Sequence, residues 1–184
     1  GEMSAIFEII KNTGDEALIT KFAKYLTYKD VYFVDNLFPI LNIINTENPN
    51  SHLIHSIIKQ ESGFHVSAES RVGATGFMQL MPATAKEVCK KMKIKYNEKL
   101  LRTNPAYNIL LGSYYINSLI KRFDGSQILA IASYNAGSAP VNRWIKDYGD
   151  PREMKHIQDI VNWIELISYS ETRNYVQRIV EGSI

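Results

Sequence analysis

The sequence predicts a mostly α-helical fold with one minor β element. Apolar side chains recur every three or four residues along most of the 184-residue chain, as one face of a helix requires. Only the stretch 73–82 (GATGFMQLMP) combines two glycines with no helical period. Hydrophobic residues make up 45% of the chain, enough for a core, and the length suits one domain or at most two small units.

Three amphipathic stretches precede the strongest turn signal. The first carries Ile6, Ile9 and Ile10 and is interrupted at Gly14. The other two show the same spacing in Leu18, Phe22, Tyr25 and Leu26, and in Phe33, Leu37, Ile40, Leu41 and Ile44. Turn-forming residues then cluster over 46–51. We therefore expect residues 1–46 to be a short helical segment, the end of a preceding helical region in a longer protein, and residues 47–184 to be the main domain.

Beyond this turn the expected elements follow in order. A helix presents its apolar face over 53–58 and is capped by Gly63. The stretch 73–82 is predicted to form a turn and a short hairpin, and Pro82 suits the first position of the next helix. A long helix begins at Asn104-Pro105 and stops at Asp124-Gly125. Further helices are predicted over 128–136, 141–148, 157–167 and 171–180.

The charge and cysteine counts exclude several classes of protein. The 21 Lys and Arg residues against 19 Asp and Glu leave a net charge of +2, too balanced to indicate nucleic acid or an anionic membrane. The single cysteine, Cys89, rules out an intramolecular disulfide and predicts an inert core thiol. No apolar run is long enough to span a membrane, and the start of the chain lacks the pattern of a signal peptide. His52 and His55 lie three residues apart without a third ligand, so we expect no metal site.

Glu61 places a charged side chain on the apolar face of its predicted helix. It follows Ile57 by four residues and Ile58 by three, so it projects from the apolar face of its helix. It also lies in the last turn before Gly63, where the helix dipole disfavours a negative charge by roughly 0.3–1 kcal/mol. Both effects predict a raised pKa for this carboxyl, as a general acid needs near neutral pH. A glutamate at the edge of the face with its carboxylate in water is the alternative that this position leaves open.

Four motifs follow one another from residue 61 onward. They are 61–64 (ESGF) with Ser70 and 73–85 (GATGFMQLMPATA), 104–112 (NPAYNILLG), 133–137 (SYNAG) and 169–176 (YSETRNYV). Together they resemble the signature of the soluble lytic transglycosylases, cell-wall enzymes similar to goose-type lysozyme. Three positions depart from that pattern: Ser133 replaces the usual Ala, Phe77 the usual Leu, and Ser168 a common Pro. None of these departures removes a polar side chain that the chemistry needs.

The resemblance implies a lysozyme-like α+β catalytic domain with a minor β-hairpin over residues 47–184. It implies that Glu61 is the sole catalytic acid and base. The other implied site residues bind the substrate or close the cleft around it: Ser70, Gln79, Met81, Tyr134, Asn135, Glu171 and Tyr175.

Structural alternatives accompany these assignments. Ser70 has the pattern of a loop hydroxyl, and Met81, like Met78, the pattern of a core side chain. Tyr134 has the pattern of a half-buried aromatic residue with its hydroxyl in water. Ser168 and Glu171 have the spacing of a capping box, which would satisfy a helix N-terminus and is compatible with a binding role.

The reaction that the resemblance implies is cleavage of the bond between N-acetylmuramic acid and N-acetylglucosamine in peptidoglycan, without water or cofactor. Standard glycosidases use two carboxyl groups, whereas Glu69 and Asp124 are unremarkable surface candidates here. The C6 hydroxyl of the muramic sugar would attack its own C1 carbon, leaving a 1,6-anhydro end. A goose-type hydrolase and a non-catalytic glycan-binding module stay open as alternatives. The expected partners are peptidoglycan strands in the periplasm and other helical domains of a longer chain, with no nucleic acid and no membrane span.

Overall fold

The computed structural model describes residues 2–15, 17–19, 21–22 and 49–183, and most of them are helical. The helices are α1 (Glu2–Lys11), α2 (Ser51–Ser62), α3 (Pro82–Met92), α4 (Glu98–Thr103), α5 (Pro105–Arg122), α6 (Gln127–Ala136), α7 (Ser138–Tyr148), α8 (Ile157–Glu165) and α9 (Ser170–Ser183). Residues 17–19 and 21–22 are helical as well. The predicted mostly α fold is confirmed. Most of the second expected helix, all of the third and the boundary at 46/47 lie outside the described residues.

Helix ends fall where local chemistry predicts them. Gly63 ends α2 in the left-handed region at φ 57°, and its N–H donates to the Lys59 carbonyl. Pro82 occupies the first turn of α3, and Pro105 begins α5. Two left-handed residues end the turn after α5, Asp124 at φ 52° and Gly125 at φ 91°.

Two elements differ from the prediction. The sequence pattern does not indicate α4, which has six residues, buries Leu101 and is capped by the Asn97 side chain accepting from the Leu100 N–H. The expected hairpin is present only as isolated antiparallel bridges, Glu69 with Thr75 and Thr75 with Leu80. Cross-strand pairing therefore contributes little to this loop, and other contacts must hold it.

The chain divides into two compact units within α5, residues 1–112 and 113–184. In the first unit, α2 supplies fully buried aliphatic side chains, and α3 adds Ala85 and Val88. In the second unit, α6 packs against both α7 and α9 and is buried from residue 129 to residue 133. None of the helices within the described ranges combines the length and the apolar run that a membrane crossing needs. The predicted boundary at 46/47 stays a prediction.

Candidate active site

Glu61 occupies the last turn of α2, as the sequence predicts. One turn before it, Ile57 and Ile58 are completely buried, while Glu61 itself is partly buried. The carboxyl group thus lies at the edge of the apolar face, next to the helix C-terminus. Its place at the helix C-terminus is as predicted, and the high pKa of this carboxyl stays a prediction.

The chain reverses direction immediately after Glu61. Gly63 is followed by Phe64, a second left-handed residue at φ 68°, a conformation that costs a non-glycine residue about 1–2 kcal/mol. The Phe64 side chain is 2% exposed, and its ring lies 5.1 Å from the His55 ring and 6.5 Å, edge-on, from the Phe77 ring. Aromatic pairs of this kind contribute about 0.5–1.5 kcal/mol each. Burial of Phe64 therefore offsets the backbone strain and fixes the segment that carries Glu61.

His55 lies on α2, packed against Phe64. Burial, together with the positive charges of Lys59 and His52, lowers the pKa of its imidazole from 6.5 to about 4, and burial is the largest cause. Its Nε2 atom has no hydrogen-bond partner in the described part of the chain. His55 is accordingly a neutral core residue at neutral pH. Across the described ranges, no three His, Cys, Asp or Glu side chains are grouped so that they could hold a metal ion.

Ser70 closes a turn in the loop that follows α2. Its Oγ accepts a hydrogen bond from the Ala74 N–H at 2.9 Å, and its own N–H donates to the Ala74 carbonyl at 2.9 Å. The serine therefore acts as a loop hydroxyl. Because Oγ is the acceptor in this bond, its own hydrogen can still be donated to a ligand.

Gln79 and Met81 lie at the other end of the same loop. Gln79 is left-handed, at φ 44°, and its Nε2 donates to the Ala68 carbonyl at 3.0 Å and the Gly76 carbonyl at 2.9 Å. These two bonds use both amide hydrogens, so the Oε1 atom is what this side chain can offer to a sugar hydroxyl. The two methionines separate: Met78 is completely buried, while Met81 is 40% exposed. Met81 is thus the one placed to contact a ligand.

Asn108 holds this loop in place, a role that the sequence analysis misses. Its side chain is 1% exposed, and its Oδ1 accepts from the Met78 N–H at 2.8 Å. Its Nδ2 donates to the carbonyls of Thr75 at 2.9 Å and Leu101 at 3.0 Å. A Cβ atom at Gly76 would clash with this amide, so the loop approaches α5 more closely than any side chain would allow. The motif 104–112 includes Asn108, but nothing local in the sequence shows what it binds.

Tyr134 and Asn135 lie together in the last turn of α6, in the second unit. The Tyr134 ring is 5.2 Å from the Tyr115 ring. The Asn135 Oδ1 accepts from the hydroxyl of Thr172, a buried residue of α9, at 2.6 Å. This bond ties the motif 133–137 to the motif 169–176, and it orients the asparagine so that its amide group remains a donor.

Ser133, one of the departures from the family pattern, is completely buried in α6. Its Oγ has no hydrogen-bond partner within the described residues. A buried hydroxyl without a partner costs about 1–3 kcal/mol. The serine therefore makes a poorer core residue at this position than alanine would.

The start of α9 differs from the capping box that the spacing of Ser168 and Glu171 suggests. The helix begins at Ser170, and the Ser168 Oγ instead accepts from the indole N–H of Trp144 at 2.9 Å. Glu171 is exposed in the first turn of α9, whereas Tyr175 is 5% exposed and mostly inside the unit. The predicted site residues are thus divided between the units, Glu61, Ser70, Gln79 and Met81 in the first, and Tyr134, Asn135, Glu171 and Tyr175 in the second.

The chain is similar to known proteins in both sequence and fold. Residues 39–157 match the family model described as the transglycosylase SLT domain. The soluble lytic murein transglycosylase of Escherichia coli is 33% identical over 135 residues, which cover 73% of this chain and 20% of that protein. The chain therefore spans about a fifth of this relative's length.

Two solved structures are similar to this chain. The first is the lytic transglycosylase Slt of Pseudomonas aeruginosa, solved as an inactive mutant with Gln in place of Glu. It has a TM-score of 0.81 and 33% identity, covering 100% of this chain and 29% of that one. The second is the 70 kDa soluble lytic transglycosylase of Escherichia coli, with a TM-score of 0.84 and 25% identity, covering 99% of this chain and 29% of that one.

Proposed function

The chain belongs to the transglycosylase SLT domain family, and we propose that it cleaves the β-1,4 bond between N-acetylmuramic acid and N-acetylglucosamine in peptidoglycan. The observation that carries the proposal is the position of Glu61, a partly buried carboxyl group at the end of a buried apolar helix within the matched residues. The Pseudomonas relative, inactive with Gln in place of Glu, supports a glutamate as the essential group.

Glu61 alone performs both proton transfers in this mechanism. The protonated carboxyl donates its proton to the glycosidic oxygen as the bond to C1 breaks, and the N-acetylglucosamine leaves with a free hydroxyl. The C6 hydroxyl of the muramic sugar then attacks C1, while the Glu61 carboxylate accepts the proton that this hydroxyl releases. The product carries a 1,6-anhydro bridge, and no water is consumed. Attack within one sugar ring benefits from a high effective concentration, and general acid–base catalysis contributes typically 10²–10⁴-fold.

Each unit has its own proposed contacts with the glycan strand. In the first unit, Ser70 offers a hydroxyl hydrogen, Gln79 an amide oxygen and Met81 an exposed apolar surface, all on the loop that Asn108 fastens. In the second unit, the proposed contacts are Tyr134, Asn135, Glu171 and Tyr175. Tyr175 is 5% exposed, so its part is to support the neighbouring contacts through packing.

We also propose a cellular location for the protein and the bounds of its catalytic domain. We place the protein in the periplasm, where peptidoglycan is found, and we take residues 1–46 as the end of a preceding helical region of a longer chain. The catalytic domain then comprises residues 47–184. The family match begins at residue 39, a few residues before this boundary.

Digestion of purified cell-wall sacculi tests the proposal directly. Mass spectrometry should find muropeptides ending in 1,6-anhydro-N-acetylmuramic acid, lighter than hydrolytic products by one water molecule, with no new reducing ends. Glu61→Gln should lower turnover by at least about 10²-fold, because the isosteric amide cannot donate the proton. Glu153→Gln, a matched change at an exposed glutamate outside the candidate site, should retain activity.

Three outcomes would contradict the proposal. Reducing ends of hydrolytic mass would identify a goose-type hydrolase. Binding of sacculi by the wild-type protein without any cleavage would identify a glycan-binding module. Activity of Glu61→Gln within a few-fold of wild type would remove Glu61 from the mechanism.

A further inference from the structure

The charged residues are distributed unevenly along the chain, although its net charge is only +2. Residues 82–103 contain seven Lys or Arg residues and two Glu, a net charge of +5, so the remainder of the chain carries −3. The basic residues of this segment are Lys86, Lys90, Lys91, Lys93, Lys95, Lys99 and Arg102. A charge balance counted over the whole chain therefore misses a strongly basic region on α3, α4 and the turn between them.

Most of these charges are not neutralised by the protein. Arg102 pairs with Glu69 at 2.7 Å and with Glu98 at 3.4 Å, and Lys91 pairs with Glu87 at 2.8 Å. The other lysines are exposed and form no ion pair with a carboxylate of the described residues. We call this set the basic surface: Lys86, Lys90, Lys93, Lys95 and Lys99.

The backbone that carries the basic surface is held in a defined conformation. Lys93 ends α3 in the left-handed region at φ 58°, and the following N–H, of Ile94, donates to the Cys89 carbonyl at 3.0 Å. The hydroxyl of Tyr107 accepts from the Asn97 N–H at 3.1 Å and donates to the Lys95 carbonyl at 3.3 Å. The Lys86 ammonium lies 5.3 Å from the centre of the Tyr96 ring. The turn 93–97 is thus held against both α3 and α5, so the lysines of the turn project from backbone whose conformation these contacts fix.

One element of the basic surface, α4 with Lys99, is joined to the loop that carries Ser70 and Gln79. The ion pair between Arg102 and Glu69 joins α4 to the start of this loop. Asn108 bridges the Leu101 carbonyl of α4 and the Thr75 carbonyl of the loop. These contacts attach the helix that carries Lys99 directly to the loop of the candidate site.

We propose that the basic surface is a second contact site for peptidoglycan, which binds the carboxylates of the peptide stems through residues other than those of the candidate active site. This proposal rests on the proposed function, because the occupant is the same polymer. Each peptide stem adds carboxylates at regular intervals along the strand. A single exposed ion pair contributes little, but several on one polymer act together and are weakened by salt.

The exposed side chains favour this polymer over a lipid surface. Within residues 82–103 the exposed large hydrophobic residues are Ile94 at 38% and Leu100 at 37%. Peripheral membrane proteins usually add a substantial apolar face to their basic residues. The basic surface exposes ammonium groups but little apolar area that could insert into a lipid bilayer.

A binding experiment in the Glu61→Gln background separates this proposal from catalysis. The test variant carries Gln at Lys90, Lys93, Lys95 and Lys99. A control variant carries Gln at four other exposed basic residues, so that both lose the same charge: Lys121, Arg122, Lys146 and Lys155. Co-sedimentation of the whole chain would be measured with intact sacculi and with amidated sacculi, whose peptide carboxylates have been converted to neutral amides by a carbodiimide and ammonia while the cross-links stay intact. Both would be measured at low and high salt, and circular dichroism would verify folding.

The test variant should bind intact sacculi about tenfold more weakly than the parent at low salt, as expected for four exposed ion pairs. The parent and the test variant should bind amidated sacculi equally, and the control variant should match the parent throughout. Equal binding of intact sacculi by test variant and parent would overturn the proposal, as would an equal loss in the control variant or an equal loss on amidated sacculi. Stronger binding of the parent to phosphatidylglycerol vesicles than to sacculi would assign the surface to lipid. Failure of the proposed function would instead be seen in the products of the wild-type enzyme.

Discussion

Acidification should destabilise this protein through His55, the buried histidine of α2. The pKa of its imidazole is about 4 in the folded protein and 6.5 in an exposed chain. As the pH falls below 6.5, the unfolded chain binds a proton that the folded protein does not, so unfolding becomes easier. The contribution to stability is complete above pH 6.5, declines as the pH falls and is lost once the pH is below about 4.

The size of this effect follows from the two pKa values. The fall from 6.5 to about 4, at about 1.4 kcal/mol for each pH unit, corresponds to about 3 kcal/mol when the pH lies below both. At pH 5 the unfolded histidine is almost fully protonated and the folded one is mostly neutral, which corresponds to about 2 kcal/mol. Small domains have only about 5–15 kcal/mol of stability, so the loss is easily measured.

Urea denaturation followed by far-ultraviolet circular dichroism, at pH 7.5 and pH 5, would measure this loss in the free energy of unfolding. His55→Phe keeps a ring against Phe64 and removes the titrating group, so its free energy of unfolding should fall less on acidification, by about 2 kcal/mol. Ile58→Val, at a completely buried neighbour, should lose about 0.5–1.5 kcal/mol at both pH values and keep the wild-type pH dependence. If His55→Phe loses as much stability as wild type between pH 7.5 and pH 5, the assignment of a neutral buried histidine is wrong.

Three further changes test other features of the structure. Asn108→Ala should lower the free energy of unfolding by about 2–4 kcal/mol in urea denaturation, because it leaves buried backbone groups unsatisfied, and should lower glycan turnover; unchanged stability would contradict the role of Asn108. Ser133→Ala should raise the thermal midpoint, with a gain of about 1 kcal/mol, because it removes an unpartnered hydroxyl; a lower midpoint would show that the hydroxyl has a partner. Deletion of residues 1–46 should leave turnover largely intact but reduce solubility; a soluble, folded and inactive product would place part of the site in that segment.

The parts of the fold that could be predicted depend on chemistry within a few residues. Gly63 and Pro82 mark helix ends because their backbone preferences act locally. The short helix α4 could not be predicted, since six residues show no helical repeat and its N-cap, Asn97, has many other possible uses. The capping box that the spacing of Ser168 and Glu171 suggests is wrong for a similar reason. A distant side chain, Trp144, binds the hydroxyl that the local spacing assigns to the helix.

The same distinction applies to the candidate site. The position of Glu61 can be derived from its own helix, whereas the support of its neighbours cannot. Asn108 is separated from Met78 by 30 residues, and no local pattern indicates that the two are bonded. Likewise, helical spacing does not show that Met78 is buried and Met81 exposed, because the loop between the bridges has no regular period.

Asn108 holds its loop through backbone groups, and this affects which loop positions can be substituted during evolution. The loop groups that this amide binds are the Thr75 carbonyl and the Met78 N–H, which every non-proline residue possesses. Loop side chains exposed to solvent, such as Arg71 and Val72, contribute nothing to this attachment. Mutations at these positions can therefore accumulate without moving the loop. One asparagine thus fixes the backbone of the loop independently of the side chains that the loop exposes. Selection for a different cell-wall polymer could therefore act on the exposed positions alone.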